Sequence, residues 1–152
     1  MRRWILLLVM LTCGVAMMMG QEGLNVAPCF SPSYASNGKV TMVTMTGEQL
    51  KWAGQAGLKS YRSVSVSGDD ELSAQIERAV RKDGAKADYK ETSYKDGKLH
   101  FGFYSLGGRG SGRRYLLYLN RPADGESKTT LIYIQGDMTP AEVKKLMNRE
   151  KK

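Results

Sequence analysis

The stretch that decides the fold covers residues 99–143 and reads LHFGFYSLGGRGSGRRYLLYLNRPADGESKTTLIYIQGDMTPAEV. It contains three strand-like segments in succession, and a helix start follows the third. In the first segment, Leu99, Phe101 and Phe103 occupy every second position, which is the period of a strand with one apolar face. We therefore expect a strand that places these three side chains on one face and His100 on the other.

The second and third segments are continuous apolar runs at residues 115–119 and 131–134. Runs of this length are typical of strands that are central in a sheet or covered on both faces. The connecting segments GGRGSG and PADGES are rich in turn-forming residues, so the sequence predicts hairpins and an antiparallel sheet. Tyrosines recur on these strands; they could stack on sugars, but a core position is the favoured interpretation of Tyr104, Tyr115, Tyr118 and Tyr133.

The carboxyl-terminal part of the stretch carries helix signals. Thr139 is followed by Pro140 and, three positions after the threonine, by Glu142, which is the pattern of a capping box with proline at the first helical position. Val143 and Met147 then fall on one helical face. The sequence therefore predicts an amphipathic helix that packs on the sheet.

Upstream segments complete the domain. Strands are predicted at residues 39–46, 60–67 and 89–94, and a helix opens at Asp69 and ends at Asp83-Gly84. Its acidic start is explained better by helix capping than by a calcium loop, because the spacing of an EF-hand is missing. The predicted fold is a single α+β domain, an antiparallel sheet in the order ββαββββα with its two helices packed on one face.

The first twenty of the 152 residues read as a signal peptide rather than as part of the fold. Arg2 and Arg3 precede an apolar run, and Gly20 provides a plausible cleavage point. The run is short for a membrane span, although a retained anchor and lipidation at Cys13 stay open as alternatives. We therefore expect a signal peptide at 1–20, a partly ordered segment at 21–38 and the α+β domain at 39–152, with no transmembrane span after cleavage.

Cysteine content and charge limit the choice of partners. After cleavage only Cys29 remains, so no internal disulfide can form, and a buried, unreactive thiol is favoured over a catalytic or intermolecular one. The formal net charge of the chain is +8, of which the two leader arginines supply two charges. This excess favours an anionic polymer or an envelope protein as the partner, and no nucleic acid is expected.

The search for reaction chemistry finds no catalytic, metal-binding or cofactor-binding residues to assign. His100 is the one histidine, and a surface or sheet-packing role is favoured over that of a catalytic base. The glycine-rich segment at 107–114 precedes a strand rather than a helix, so a hairpin is favoured over a phosphate-binding loop. Its arginines form the one candidate site, a small anion-contacting patch of Arg109, Arg113 and Arg114.

Several segments together resemble a known but uncharacterised family. They include Tyr61-Arg62-Ser63-Val64, Asp83-Gly84-Ala85, Gly102-Phe103-Tyr104, Arg114-Tyr115-Leu116-Leu117-Tyr118 and Thr130-Leu131-Ile132-Tyr133. The chain is similar in these motifs to a domain-of-unknown-function family of small exported Bacteroidetes proteins. The resemblance implies a periplasmic or outer-membrane-associated location in a Gram-negative bacterium, and it supplies no catalytic residues.

These observations favour an exported, non-enzymatic interaction or ligand-binding module that needs no cofactor. Two other classes stay open. One is a cofactor-free hydrolase that uses Asp and Glu carboxylates, which would require a carboxylate pair in a cleft. The other is a structural envelope component that self-associates through the strand at 89–94, provided that this strand is an exposed edge.

Overall fold

The computed structural model describes residues 24–46, 50, 57–108, 112–122 and 124–150. The predicted signal peptide with Cys13, and Arg109 of the predicted patch, lie outside these residues. A 3₁₀ helix at Ala27–Phe30 and a short helix α1 at Pro32–Ala35 come first. The remaining elements are β1 (Val40–Thr46), β2 (Leu58–Ser67), α2 (Asp70–Gly84), β3 (Tyr89–Lys95), β4 (Lys98–Gly108), β5 (Arg113–Asn120), β6 (Lys128–Gly136) and α3 (Pro140–Glu150).

The six strands form one antiparallel sheet in the order β1-β2-β6-β5-β4-β3. This confirms the predicted α+β class and the element order ββαββββα. The hairpins predicted at GGRGSG and PADGES join β4 to β5 and β5 to β6. The apolar runs lie in β5 and β6, the two central strands, as their composition indicates. Helix α2 connects β2 to the far edge strand β3.

The two long helices pack on opposite faces of the sheet, so the prediction that they share one face is wrong. On the first face, Ile76 and Val80 of α2 pack with Leu116 and Tyr133. On the second face, α3 contributes Val143 and Met147 to a separate cluster. The physical reason is in the apolar runs themselves. Neighbouring residues of β5 and β6 point to opposite faces, so both faces need a cover.

A β-bulge overturns the predicted alternation at the start of β4. Leu99 pairs with Tyr94, whereas Phe101 pairs with Ser93, so His100 is an extra residue between two successive pairs. The bulge places Leu99 in the cluster under α2, while Phe101 and Phe103 belong to the cluster under α3. Leu99 is therefore not on the same face as the two phenylalanines, since one inserted residue reverses the facing of every side chain before it.

Both predicted helix starts are confirmed by their caps. The Asp69 carboxylate accepts a hydrogen bond from the backbone N–H of Leu72 at 3.0 Å. At α3, Thr139 and Glu142 form the reciprocal capping box: the Thr139 N–H donates to Glu142 Oε2 at 3.0 Å, and the Glu142 N–H donates to Thr139 Oγ1 at 3.3 Å. Each cap satisfies backbone donors that a helix start leaves unpaired.

The amino-terminal segment of the described chain is tied to the last turn of α2. Asp83 is buried, and its carboxylate accepts hydrogen bonds from the Asn25 backbone N–H at 2.8 Å, the Asn25 side-chain amide at 2.8 Å and the Val26 N–H at 2.9 Å. Val26, Cys29 and Phe30 consequently join the core under α2. Burial, followed by the charge of Asp83, raises the pKa of the Cys29 thiol to about 11, which agrees with a buried, unreactive cysteine.

All four predicted core tyrosines are buried. The ring of Tyr104 lies against two glycines, Gly84 at the end of α2 and Gly102 on its own strand. A Cβ added at Gly84 would lie 2.4 Å from a ring carbon, and one at Gly102 would lie 2.6 Å from another. Glycine at both positions is therefore required for the close approach of helix end, ring and sheet.

Candidate functional site

The structure contains a polar cleft between the first half of α2 and the end of the sheet where β4 begins and β5 ends. Its inner part has a volume of about 80 Å³ and is lined by residues of α2, β4, β5 and the approach to β6: Asp70, Ser73, Ala74, Glu77, Lys98, Tyr118, Asn120 and Ser127. An outer part of about 290 Å³ shares Lys98 and Asn120 and adds Lys95, Asp96, Leu99, His100 and Pro122. We call the two parts together the polar cleft.

The helix side of the cleft follows from the position of the α2 cap. Because Asp69 starts the helix directly after β2, Ser73 and Glu77 lie one turn apart on the same helical face. Glu77 fixes the register of that face against the sheet, since its Oε1 accepts hydrogen bonds from the Leu99 N–H at 2.6 Å and from Arg81 at 3.0 Å. Ser73 is thereby held over the end of β5.

The sheet side of the cleft is shaped by a tight turn and by the bulge. Asp96 and Gly97 both have positive φ, 53° and 75°, as a two-residue hairpin turn between β3 and β4 requires. The turn places Lys95, Asp96 and Lys98 at the outer part of the cleft, and the bulged His100 lies there as well. A bulge commonly re-aims a side chain in this way beside a site.

Two hydroxyl groups in the inner part have no hydrogen-bond partner among the residues that the structure describes. Ser73 Oγ and Ser127 Oγ are both buried and unpaired, and the Ser73 residue as a whole is only 8% exposed. Buried polar groups in native proteins are nearly always paired, so these two hydroxyls are available to a ligand atom once rotation about χ1 turns them into the cleft. Asn120 adds an amide donor and acceptor to the same lining.

The charges around the cleft are mixed, which limits the ligands that fit it. The lining combines the ammonium groups of Lys95 and Lys98 with the carboxylates of Asp70 and Asp96. Burial, followed by the charge of Glu77, raises the pKa of Tyr118 to about 12, so its hydroxyl stays protonated at neutral pH. The cleft therefore offers hydroxyl, amide and ammonium donors beside carboxylate and hydroxyl acceptors, and it favours neither sign of net charge.

The structure describes two of the three arginines of the predicted patch. Arg113 and Arg114 are neighbours in β5 and point to opposite faces, Arg113 exposed and Arg114 half-buried, while Arg109 lies outside the described residues. Arg114 shares its face with Arg62 of β2, and both lie near Tyr133. Burial raises the pKa of Tyr133 to about 12, against the opposing effect of these two positive charges. The anion contact stays a prediction, with Arg62 as the neighbour that sequence reasoning missed.

A family model with the description "Family of unknown function (DUF6108)" matches residues 13–147. The chain belongs to the DUF6108 family. The membership confirms the resemblance to a family of unknown function, and the Bacteroidetes origin and export that the resemblance implies stay predictions. No curated protein and no solved structure matches the chain.

Two further observations apply to the described part of the DUF6108 chain. Within these residues, no group of three or more His, Cys, Asp or Glu side chains is arranged to hold a metal ion. No helix in the same part is both long and apolar enough to cross a membrane.

The polar cleft was not predicted from the sequence, although parts of it carried a signal. Asp96-Gly97 marks a hairpin, and the α2 cap can be recognised, so the two sides of the cleft were each predictable. Ser73, Asn120 and Ser127 belong to residue types that occur throughout the chain, and nothing local distinguishes them. Their convergence depends on the bulge and on how far α2 reaches over the sheet.

Proposed function

We propose that this DUF6108 protein is an exported, non-enzymatic binding domain whose polar cleft takes a small, uncharged, hydroxyl-rich ligand such as a sugar residue. The observation that carries the proposal is the pair of unpaired buried hydroxyls, Ser73 Oγ and Ser127 Oγ, inside a cleft that also presents Asn120. Export rests on the amino-terminal sequence, with Arg2 and Arg3 before an apolar run.

Size and polarity support this class of ligand. The two parts of the cleft have volumes of about 290 and 80 Å³, and small-molecule sites commonly hold about 300–1,000 Å³. A sugar ring presents adjacent hydroxyls, each a donor and an acceptor, which match serine hydroxyls and an asparagine amide. Leu99 and Pro122 supply apolar surface at the outer part, against which the carbon side of a ring can pack.

The test is an NMR titration of the protein with glucose and with N-acetylglucosamine, followed at the backbone amides. We expect chemical-shift changes at the amides of Ser73, Asn120 and Ser127 and none at those of β1, which forms the opposite edge of the sheet. A titration with both sugars that leaves the cleft amides unchanged would refute the proposal.

A matched pair of serine variants separates binding from stability. Ser73→Ala removes a hydroxyl that has no protein partner, so binding should weaken while the free energy of unfolding stays the same or rises by up to about 1 kcal/mol. Ser65→Ala is the control, because Ser65 Oγ pairs with Thr130 Oγ1 at 3.1 Å outside the cleft. It should lower stability by about 1 kcal/mol and leave binding unchanged. Equal sugar binding by both variants would contradict the assignment of Ser73.

One observation favours the alternative of a cofactor-free hydrolase. Asp70 and Glu77 both line the inner cleft, so a carboxylate pair does lie in a concave site. Glu77 Oε1 already accepts two hydrogen bonds, from Leu99 and Arg81, which is why binding is the favoured proposal. Turnover of chromogenic glycosides that Asp70→Asn or Glu77→Gln abolishes would replace the binding proposal by this alternative.

A further inference from the structure

The sheet has two edge strands, β1 and β3, and they differ in how they are protected. The β3 edge carries Lys90, Glu91 and Lys95 within its sequence YKETSYK. Each of its two exposed aromatics has a cation near its ring, since the Arg81 guanidinium lies 5.1 Å from the Tyr94 ring centre and the Lys144 ammonium lies 5.2 Å from that of Tyr89. Charges on an edge strand oppose pairing with another chain, so β3 is protected against pairing with a further strand.

In the described part of the chain, the residues of β1 itself supply no charge of this kind. Its sequence VTMVTMT contains no charge, no proline and no glycine, and β-branched residues fill five of its seven positions. Val43, at the centre, is 42% exposed, and together with Tyr89 and Tyr94 it forms the set of exposed large hydrophobic residues within the described chain. A long, uncharged, β-branched edge of this kind is a template for strand pairing.

The backbone of β1 has hydrogen-bonding groups available at this edge. The Ser67 N–H donates to the Lys39 carbonyl at 3.0 Å, and with the register Val40↔Val66 this directs the backbone groups of odd-numbered β1 residues to β2. The groups of even-numbered residues therefore point outward. Within the described residues, no loop or turn hydrogen bond reaches the backbone N–H or C=O of Met42 or Thr44.

We propose that β1 pairs antiparallel with β1 of a second copy of this chain, about a two-fold axis that passes midway between the two Val43 residues. The register centred on Val43 overlaps all seven residues of the strand and sets Met42 opposite Thr44 of the other copy. Both of these residues have outward-facing backbone groups, so they form hydrogen-bonded pairs, about four bonds in all. Val43 then faces Val43 in a non-hydrogen-bonded pair, and Thr41 faces Met45.

We expect the strand that pairs with β1 to be β1 of a second copy, because the two β1 edges are complementary to each other. Every cross-strand pair in this register joins two uncharged side chains, so no repulsion opposes it. Hydrogen-bonding parity permits this register, because the residues with outward-facing backbone groups, Met42 and Thr44, lie opposite each other. The dimer continues the sheet from one copy into the next. Self-association through the strand at 89–94 was one of the alternatives that the sequence left open, and this inference assigns it to β1 instead.

Cysteine cross-linking tests the register directly. In the proposed dimer the two Val43 Cα atoms lie about 4.5 Å apart, so Val43→Cys should form an intermolecular disulfide on mild oxidation. Thr41→Cys is the matched control, because the two Thr41 Cα atoms would lie about 13 Å apart, four residues along the strand, beyond the reach of a disulfide. Both variants are made with Cys13 replaced by serine, and the native Cys29 is buried, so no background cross-link is expected.

Sedimentation equilibrium supplies the second measurement, over protein concentrations from about 1 μM to about 1 mM, as suits an interface of less than standard size. We expect a monomer–dimer equilibrium for the native chain and for Thr41→Cys under reduction, and a monomer for Val43→Lys, which sets two ammonium groups face to face. An unchanged melting temperature would show that Val43→Lys is folded. A native chain that is monomeric throughout, a Val43→Lys dimer, or equal cross-linking of the two cysteine variants would each overturn the proposal.

Discussion

The carboxylate of Asp83 offers the sharpest test of how the fold is held together. It accepts three hydrogen bonds from Asn25 and Val26, which lie 58 and 57 positions earlier in the chain. Asp83→Asn keeps the size of the side chain but turns one acceptor oxygen into an amide donor. Whichever way the amide is oriented, an N–H group of the amino-terminal segment then faces another donor.

The magnitude follows from these contacts. A hydrogen bond to a charged group contributes about 1.5–3 kcal/mol, and a buried N–H without an acceptor costs about 1–3 kcal/mol. Val26 is fully buried, so water does not replace the lost acceptor. We expect Asp83→Asn to lower the free energy of unfolding by about 2–4 kcal/mol, which for a chain of this length corresponds to a fall in Tm of about 5–15 °C.

Thermal and urea denaturation followed by circular dichroism measure the change, with Asp69→Asn as the control. Asp69 lies on the same helix, and asparagine caps a helix start as well as aspartate does, so the control should melt within about 0.5 kcal/mol of the native protein. Hydrogen exchange adds a local readout, since the Asn25 and Val26 amides should lose protection only in Asp83→Asn. Equal melting of the two variants would refute the role assigned to Asp83.

Three further predictions concern the cap, the core and the tyrosines. Thr139→Ala should cost about 1 kcal/mol in urea denaturation through the lost capping box, and a native midpoint would contradict the box. Leu131→Asp places a charge in a fully buried strand position and should abolish the cooperative unfolding transition; a variant with native melting would refute the core assignment. Burial raises the pKa values of Tyr104, Tyr118 and Tyr133 from 10.0 to about 12. The free energy of unfolding should therefore be highest below pH 10 and fall as the pH rises towards 12, and the fall should be smaller in Tyr133→Phe. A free energy of unfolding that does not change over this pH range would contradict the burial of these tyrosines.

The parts of the fold that could be predicted are those with local causes. The caps at Asp69 and Thr139, the Asp96-Gly97 turn and the apolar runs of β5 and β6 each depend on residues within a few positions of one another. The placement of α2 and α3 on opposite faces of the sheet could also have been predicted, because a strand that is apolar at consecutive residues needs a cover on both faces. The prediction of one shared face did not use that consequence.

The parts that were missed depend on distant contacts or on a single inserted residue. The alternation around His100 predicts a regular strand whether or not a bulge is present, since a bulge has no signature of its own there. The stretch containing Arg113 and Arg114 was interpreted as a loop; with β5 starting at Arg113, strand alternation separates the two side chains. The role of Asp83 cannot be predicted locally, because its partners precede it by more than fifty residues.

The two proposals use separate parts of the molecule, and this makes their tests independent. The polar cleft involves β4 and β5, whereas Val43 lies on the edge strand β1, with β2 and β6 between them. Val43→Lys should therefore leave sugar binding unchanged, and Ser73→Ala should leave self-association unchanged. In the proposed dimer, the two-fold axis places the two clefts at opposite ends of the strands, separated by seven strand spacings, or roughly 34 Å across the sheet. Such a dimer would hold a repetitive polymer at two points, and dimerisation would then raise the apparent affinity for the polymer while leaving the affinity for the single sugar unchanged.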